Sequence, residues 1–111
     1  MYQYSLIIDA SEDKYEAINE ILGIKSNYPE AGWGLQLTEK NGDEHIFFID
    51  NFLSLLNGKY QQLEEIGVAR ENISVWLFYE YEDQCNMEFS SKDLYSLGKD
   101  GITLCISCWE K

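Results

Sequence analysis

Apolar and polar side chains alternate from the first residues: Tyr2, Tyr4, Leu6 and Ile8 share one face of YQYSLIID, the period-two pattern of a strand. The spacing then changes. Ser11 can cap a helix whose first turn carries Glu12 and Asp13, and Tyr15, Ile18, Ile21 and Leu22 recur at helical intervals before Gly23 supplies a stop. Residues 24–32, with the chain's single proline at Pro29, read as a loop. Trp33, Leu35 and Leu37 alternate again, Asn41-Gly42 offers a tight turn, and HIFFI at 45–49 is expected to return as the second strand of a hairpin.

From about Asp50 the positions Phe52, Leu55 and Leu56 are helical. Asn57-Gly58 interrupts them, and Tyr60, Leu63 and Ile66 resume the pattern up to Gly67, so one kinked helix or two short ones are expected. In ISVWLFYEY (73–81), Val75, Leu77 and Tyr79 face one way and Trp76 and Phe78 the other, which suggests a central strand covered on both sides. EDQC reads as a turn and NMEF as a short strand. SSKDLYSLG reads as a helix with Ser90 and Asp93 at capping-box spacing, and ITLCISCW as a last strand. The reading is one α+β domain over residues 1–111, with helices packed on a largely antiparallel sheet. Its first six elements have the βαββαβ order of a ferredoxin-like core, followed by a C-terminal β-α-β extension.

A chain of 111 residues with 45% hydrophobic and 14% aromatic residues has enough apolar material for one core. No apolar run reaches the roughly 20 residues that span a bilayer, and MYQYSLIID lacks the basic segment of a secretory signal, so a cytoplasmic location is expected. Twenty Asp and Glu against eight Lys and Arg give a net charge of −12. Nucleic acid and anionic membranes are bound through Lys and Arg, so neither is an expected partner; a basic protein or a metal cation is the natural counter-surface. The same charge also serves plain solubility.

Little in the chain points to catalysis. Cys105 and Cys108 form a C-x-x-C, but on a strand positions three apart face opposite ways, and with Cys85 only His45 could complete a zinc set of nitrogen and sulfur ligands. Buried, reduced structural cysteines are the expected state. His45 has no nucleophile in a recognisable elbow near it, the glycines are scattered singly, and the paired carboxylates lack the alternation of a calcium loop. No catalytic residue, metal ligand or cofactor is therefore assigned. The remaining candidate is a contact surface in which Tyr79 and Tyr81 are interleaved with Glu80, Glu82 and Asp83, with Trp33 as a further aromatic anchor.

Several segments resemble a family of small bacterial proteins known as a domain of unknown function and regarded as toxin-immunity proteins of the contact-dependent growth inhibition kind. The segments are Ile21-Leu22-Gly23-Ile24, Trp33-Gly34-Leu35, the leucine-rich middle helices, and the closing pattern of Leu94, Leu97, Gly101, Leu104 and Ile106. The late Pro29 and the ending Ser107-Cys108-Trp109 depart from the family's pattern. The resemblance implies a small, non-catalytic cytoplasmic protein that neutralises a cognate toxin, for which a basic nuclease would suit the acidic charge; it carries over no functional residue. Two alternatives stay open: an enzyme or metal protein built on scattered carboxylates or on Cys85, Cys105, Cys108 and His45, and an acidic mimic of nucleic acid that binds a host regulator.

Overall fold

The computed structural model describes residues 1–28 and 32–111; the predicted loop at 24–32, with Pro29, falls partly outside the described residues. The alternating stretches become β1 (Tyr2–Ile8), β2 (Trp33–Glu39), β3 (Ile73–Tyr81) and β4 (Thr103–Glu110), and the helical stretches become α1 (Tyr15–Leu22), α2 (Phe48–Leu56), α3 (Tyr60–Glu65) and α4 (Ser91–Asp100). They form a single α+β domain on a mixed sheet of order β2-β1-β3-β4, antiparallel at β1–β2 and β1–β3 and parallel at β3–β4. A parallel neighbour needs a crossover, and α4 provides it.

The ferredoxin-like order is not observed, because HIFFI does not return as a strand. Asn41-Gly42 does make a turn, closed by Asp43 N–H on the Lys40 carbonyl at 3.0 Å, but the chain then enters α2 at Phe48. The apolar run belongs to a helical set, Phe48, Ile49, Phe52 and Leu56, all buried on one stripe. NMEF likewise forms no strand; Met87 and Phe89 reach the core from an irregular segment. Asn57-Gly58 divides the middle helix into α2 and α3, Gly58 taking a positive φ. Ser11 precedes a short 3-10 turn (Glu12–Lys14) without a side-chain cap bond, whereas Ser90 caps α4 by accepting the Asp93 N–H at 3.1 Å.

Register explains where the core sits. Ile8 lies opposite Trp33 and Ile73, Leu6 opposite Leu35 and Val75, and Tyr4 opposite Leu37 and Leu77. This face packs against Ile18 and Leu22 of α1, the buried stripe of α2, Leu63 of α3 and Leu97 of α4, so the helices cover one face of the sheet. The other face is not covered by a helix layer, contrary to the expectation for β3. Trp76 and Phe78 lie there half-buried and stacked on each other, with ring centroids 5.6 Å apart, and the Trp76 indole donates to Ser74 at 2.9 Å. Ser5 and Ile7 on this face are nevertheless buried.

The two sheet edges differ. Along β2, the Asn27 side chain accepts the Gln36 N–H (2.6 Å) and donates to the Gln36 carbonyl (3.0 Å), while Asn27 and Tyr28 N–H both reach the Gly34 carbonyl. A side chain at Gly34 would run into the Tyr28 carbonyl oxygen, so glycine is what admits this close approach. Residues 26–28 therefore finish the edge as a short strand would. At the opposite edge β4 is, among the described residues, the last strand, and Ile106 and Trp109 are exposed.

Candidate functional site at the acidic end of the sheet

Strand directions collect the carboxylates that the sequence scatters. The start of β1 and the ends of β2, β3 and β4 lie at one end of the sheet, since Tyr2 pairs with both Glu39 and Tyr79, and Tyr81 pairs with Glu110. The β2–α2 loop brings Asp43 and Glu44 to this end, and the β3–α4 segment brings Glu82, Asp83 and Glu88. Asp50 and Asp93 join them from the first turns of α2 and α4. Lys40, Lys92 and Lys111 are the lysines of the same region, and among the described residues Lys111 is the one of them that forms an ion pair, with Glu82 at 3.7 Å. Both partners are exposed, so it contributes little. The opposite end is more evenly mixed, with Asp9, Glu12, Asp13, Glu71 and Asp100 near Lys14, Arg70 and Lys99.

Between these loops lies a cavity of about 200 Å³. Tyr2, Tyr4, Phe48, Leu77, Met87 and Phe89 form its apolar walls, and Asp50, Glu88 and Asp93 bring carboxylates to it; His45 and Phe47 complete the lining at the β2–α2 side. Tyrosine rings run into the cavity from the strand ends: Tyr81 stacks on Tyr79, Tyr79 on Tyr2 at 4.3 Å, and Tyr4 on Phe48 at 4.5 Å. One carboxylate fixes the loop beside it. Glu39 Oε1 accepts the Tyr4 hydroxyl (3.1 Å) and the Ile46 N–H (2.7 Å) and lies 3.3 Å from His45 Nδ1.

Of the residues singled out in the sequence, Tyr79, Glu80, Tyr81, Glu82 and Asp83 lie at this end, but not as one surface. Tyr79 and Tyr81 take the helix-side parity of β3, Glu80 takes the open-face parity of Trp76 and Phe78, and Glu82 and Asp83 stand exposed in the following turn. Trp33 is corrected outright as a contact anchor. It is fully buried, its indole N–H donates to Asn19 Oδ1 at 2.7 Å, and it pairs with Ile8 at the other end of the sheet. Ile73, its counterpart on β3, is six residues from Tyr79, or about 20 Å along a strand. The cavity itself escaped the sequence reading because its walls come from four separate segments.

No serine, threonine or cysteine lines the cavity among the described residues. Burial, followed by the neighbouring Tyr79, raises the Tyr2 hydroxyl above its ordinary value, and burial together with the charge and hydrogen bond of Glu39 raises Tyr4 further; both shifts disfavour the phenolate a nucleophile or base requires. Cys105 and Cys108 do diverge, pairing with Trp76 and Tyr79 on opposite faces. Cys85 lies near Cys108, and desolvation together with that thiol raises it above the usual thiol range. All three cysteines are unbridged, and among the described residues no three His, Cys, Asp or Glu side chains gather as a metal-binding group.

The raised tyrosines have a measurable consequence. At the far end of the domain Tyr60 donates to Asp100 Oδ2 at 2.8 Å, and burial followed by that carboxylate raises its pKa well above 10.0, as happens at Tyr4. A hydroxyl whose pKa is higher folded than unfolded stabilises the fold fully below the unfolded value, and this contribution is lost as pH rises through the folded value. Of the eight tyrosines, Tyr4 and Tyr60 are therefore expected to ionise only as the protein unfolds, with stability falling above about pH 10. Ultraviolet titration followed beside circular dichroism checks this: ionisation of all tyrosines in one step near their ordinary value, with the fold intact, would contradict it.

Compared with protein-family models, curated proteins and solved structures, the chain matches none. Among the described residues no helix is long and apolar enough to cross a membrane.

Proposed function

We propose that this protein is a cytoplasmic immunity protein that binds and neutralises a cognate bacterial toxin, of the basic nuclease type delivered by contact-dependent inhibition. The observation that carries the reading is the convergence of carboxylates from the β2–α2 and β3–α4 segments and the first turns of α2 and α4 at one end of the sheet, around a cavity walled by tyrosine and phenylalanine. Such a surface suits a protein whose active cleft is lined with Lys and Arg for phosphate binding, because complementary fields speed encounter and a bound acidic face occludes the cleft. Aromatic rings beside the charges supply contact area that charge alone does not. The resemblance of Ile21-Leu22-Gly23-Ile24 and Trp33-Gly34-Leu35 to immunity proteins points the same way.

Co-production with the toxin fragment encoded beside it tests the reading. Growth is expected to be restored, and the two chains are expected to purify together without nucleic acid. Continued toxicity with no complex would overturn it. Zinc analysis of the purified protein bears on the enzyme or metal alternative, which stoichiometric zinc would favour. Purification with a host regulator in place of a toxin would favour a nucleic-acid mimic.

A further inference from the structure

Resting on that reading, we infer that the cavity at the acidic end is a receptor for a single arginine side chain of the basic partner. Its volume of about 200 Å³ is below the roughly 300–1,000 Å³ of pockets that hold drug-sized ligands, and is of the order of one side chain. The walls suit the two parts of arginine separately. Leu77 and Met87 offer apolar surface to the methylene stem, while the half-buried ring of Phe89 and the face of Tyr2 turned away from Tyr79 offer surfaces on which a planar guanidinium can stack, Tyr4 being buried behind them against Phe48.

The charge of the lining selects a cation. Asp50, Glu88 and Asp93 all line the cavity, and among the described residues no lysine or arginine does. The N-termini of α2 and α4 open on the same space, and their partial positive charges would by themselves favour an anion. Asp50 and Asp93 in those first turns offset them, and Glu88 from the loop adds a third carboxylate. A phosphate or carboxylate ligand would thus meet three carboxylates, whereas a guanidinium meets three acceptors and the ring faces.

The surroundings favour a protein as the source of that cation. Phe47 at the lining is 66% exposed and packs edge-on against His45 at 4.8 Å, giving an apolar shoulder beside the opening. A half-open aromatic pocket with such a shoulder and a charged periphery is how an interface accommodates one anchoring residue. Lysine is the weaker fit, because a compact ammonium does not stack on the rings as a planar group does.

The test uses the full chain and blocked amino acids as probes, followed by nuclear magnetic resonance at low salt. Nα-acetyl-arginine methylamide is expected to shift the Met87 methyl and the Leu77 and Phe89 signals saturably, and to bind several-fold tighter than the lysine analogue. The uncharged citrulline analogue is expected to leave these signals in place. Asp50→Asn with Glu88→Gln, both at exposed positions, should weaken the arginine probe about tenfold, while Glu16→Gln with Glu20→Gln, the same charge change on α1, should not. Equal binding of citrulline or lysine, equal loss in the α1 variant, or shifts spread over the surface without saturation at the cavity would each overturn the inference. Saturable arginine binding in a chain that fails to neutralise the toxin would sink the immunity reading alone; neutralisation without cavity binding would sink this inference alone.

Discussion

Reversing the charge at Glu82, Asp83 and Glu88 to lysine is expected to slow association with the toxin by about ten- to a hundredfold at low salt, with a much smaller change in the dissociation rate. These three residues share the β3–α4 segment and are exposed, and Glu88 lines the cavity. Their field is weakly neutralised locally, since the ion pair of Glu82 is with an equally exposed Lys111 at 3.7 Å and the net charge of the chain is −12. Exposed charges set the rate of encounter, and salt screens them with a Debye length of about 10 Å at 0.1 M. The variant should accordingly lose most of the salt dependence of its on-rate. Stopped-flow association at several ionic strengths measures this, with Glu64→Lys and Glu65→Lys on α3 as a control of similar sign. An unchanged on-rate, or an equal loss in the control, would remove the acidic end as the docking face.

Replacing Trp33 by alanine is expected to destabilise the fold by about 3–5 kcal/mol while leaving the intrinsic affinity of the folded fraction unchanged. Trp33 is among the largest fully buried side chains, and it joins β2 to α1 through the bond to Asn19 Oδ1. Alanine would leave a cavity under α1 and strip the half-buried Asn19 amide oxygen of a donor, although the Ser26 N–H at 3.3 Å remains. A domain of this size is stable by only about 5–15 kcal/mol, so the loss is a large fraction of the total. Urea denaturation gives the stability, and calorimetric titration corrected for the folded fraction gives the affinity. Reduced affinity with undiminished stability would restore Trp33 to the interface and contradict its placement in the core.

The contrast between Trp33 and Tyr79 shows what sequence alone could convey. Alternation in YQYSLIID, WGLQLTE and ISVWLFYEY identified three strands and which side chains share a face, because a period of two is a local property. It could not say whether the second face of β3 would be covered: Trp76 and Phe78 have core composition, and only the structure shows them stacked on each other outside the helix layer. HIFFI was misread for a related reason. Short apolar runs suit strand and helix alike, and α2 begins at Phe47-Phe48 without a capping Ser, Thr, Asp or Asn to announce it. The Ser90 cap, by contrast, was legible, as were the break at Asn57-Gly58 and the divergence of Cys105 and Cys108.

The candidate site was legible only in part. The acidic turn after Tyr81 was visible as a cluster in sequence, but its junction with Asp43, Glu44, Asp50 and Asp93 depends on strand direction and register, which no local pattern encodes. Tyr2 and Tyr79 are 77 positions apart and become neighbours because β1 and β3 run antiparallel with those residues paired. Glu39 gave no signal either. Its role in holding Tyr4, Ile46 and His45 arises from a loop that turns back over the end of β2.

The most direct test of the central claim, that the acidic end binds a basic toxin, is the affinity of this chain for the isolated toxin fragment at low and moderate salt, measured by calorimetry. Nanomolar binding that weakens by at least about tenfold as salt rises is the result expected of charge-steered docking on this face. Absence of binding, or tight binding indifferent to salt and to reversal of Glu82, Asp83 and Glu88, would contradict it.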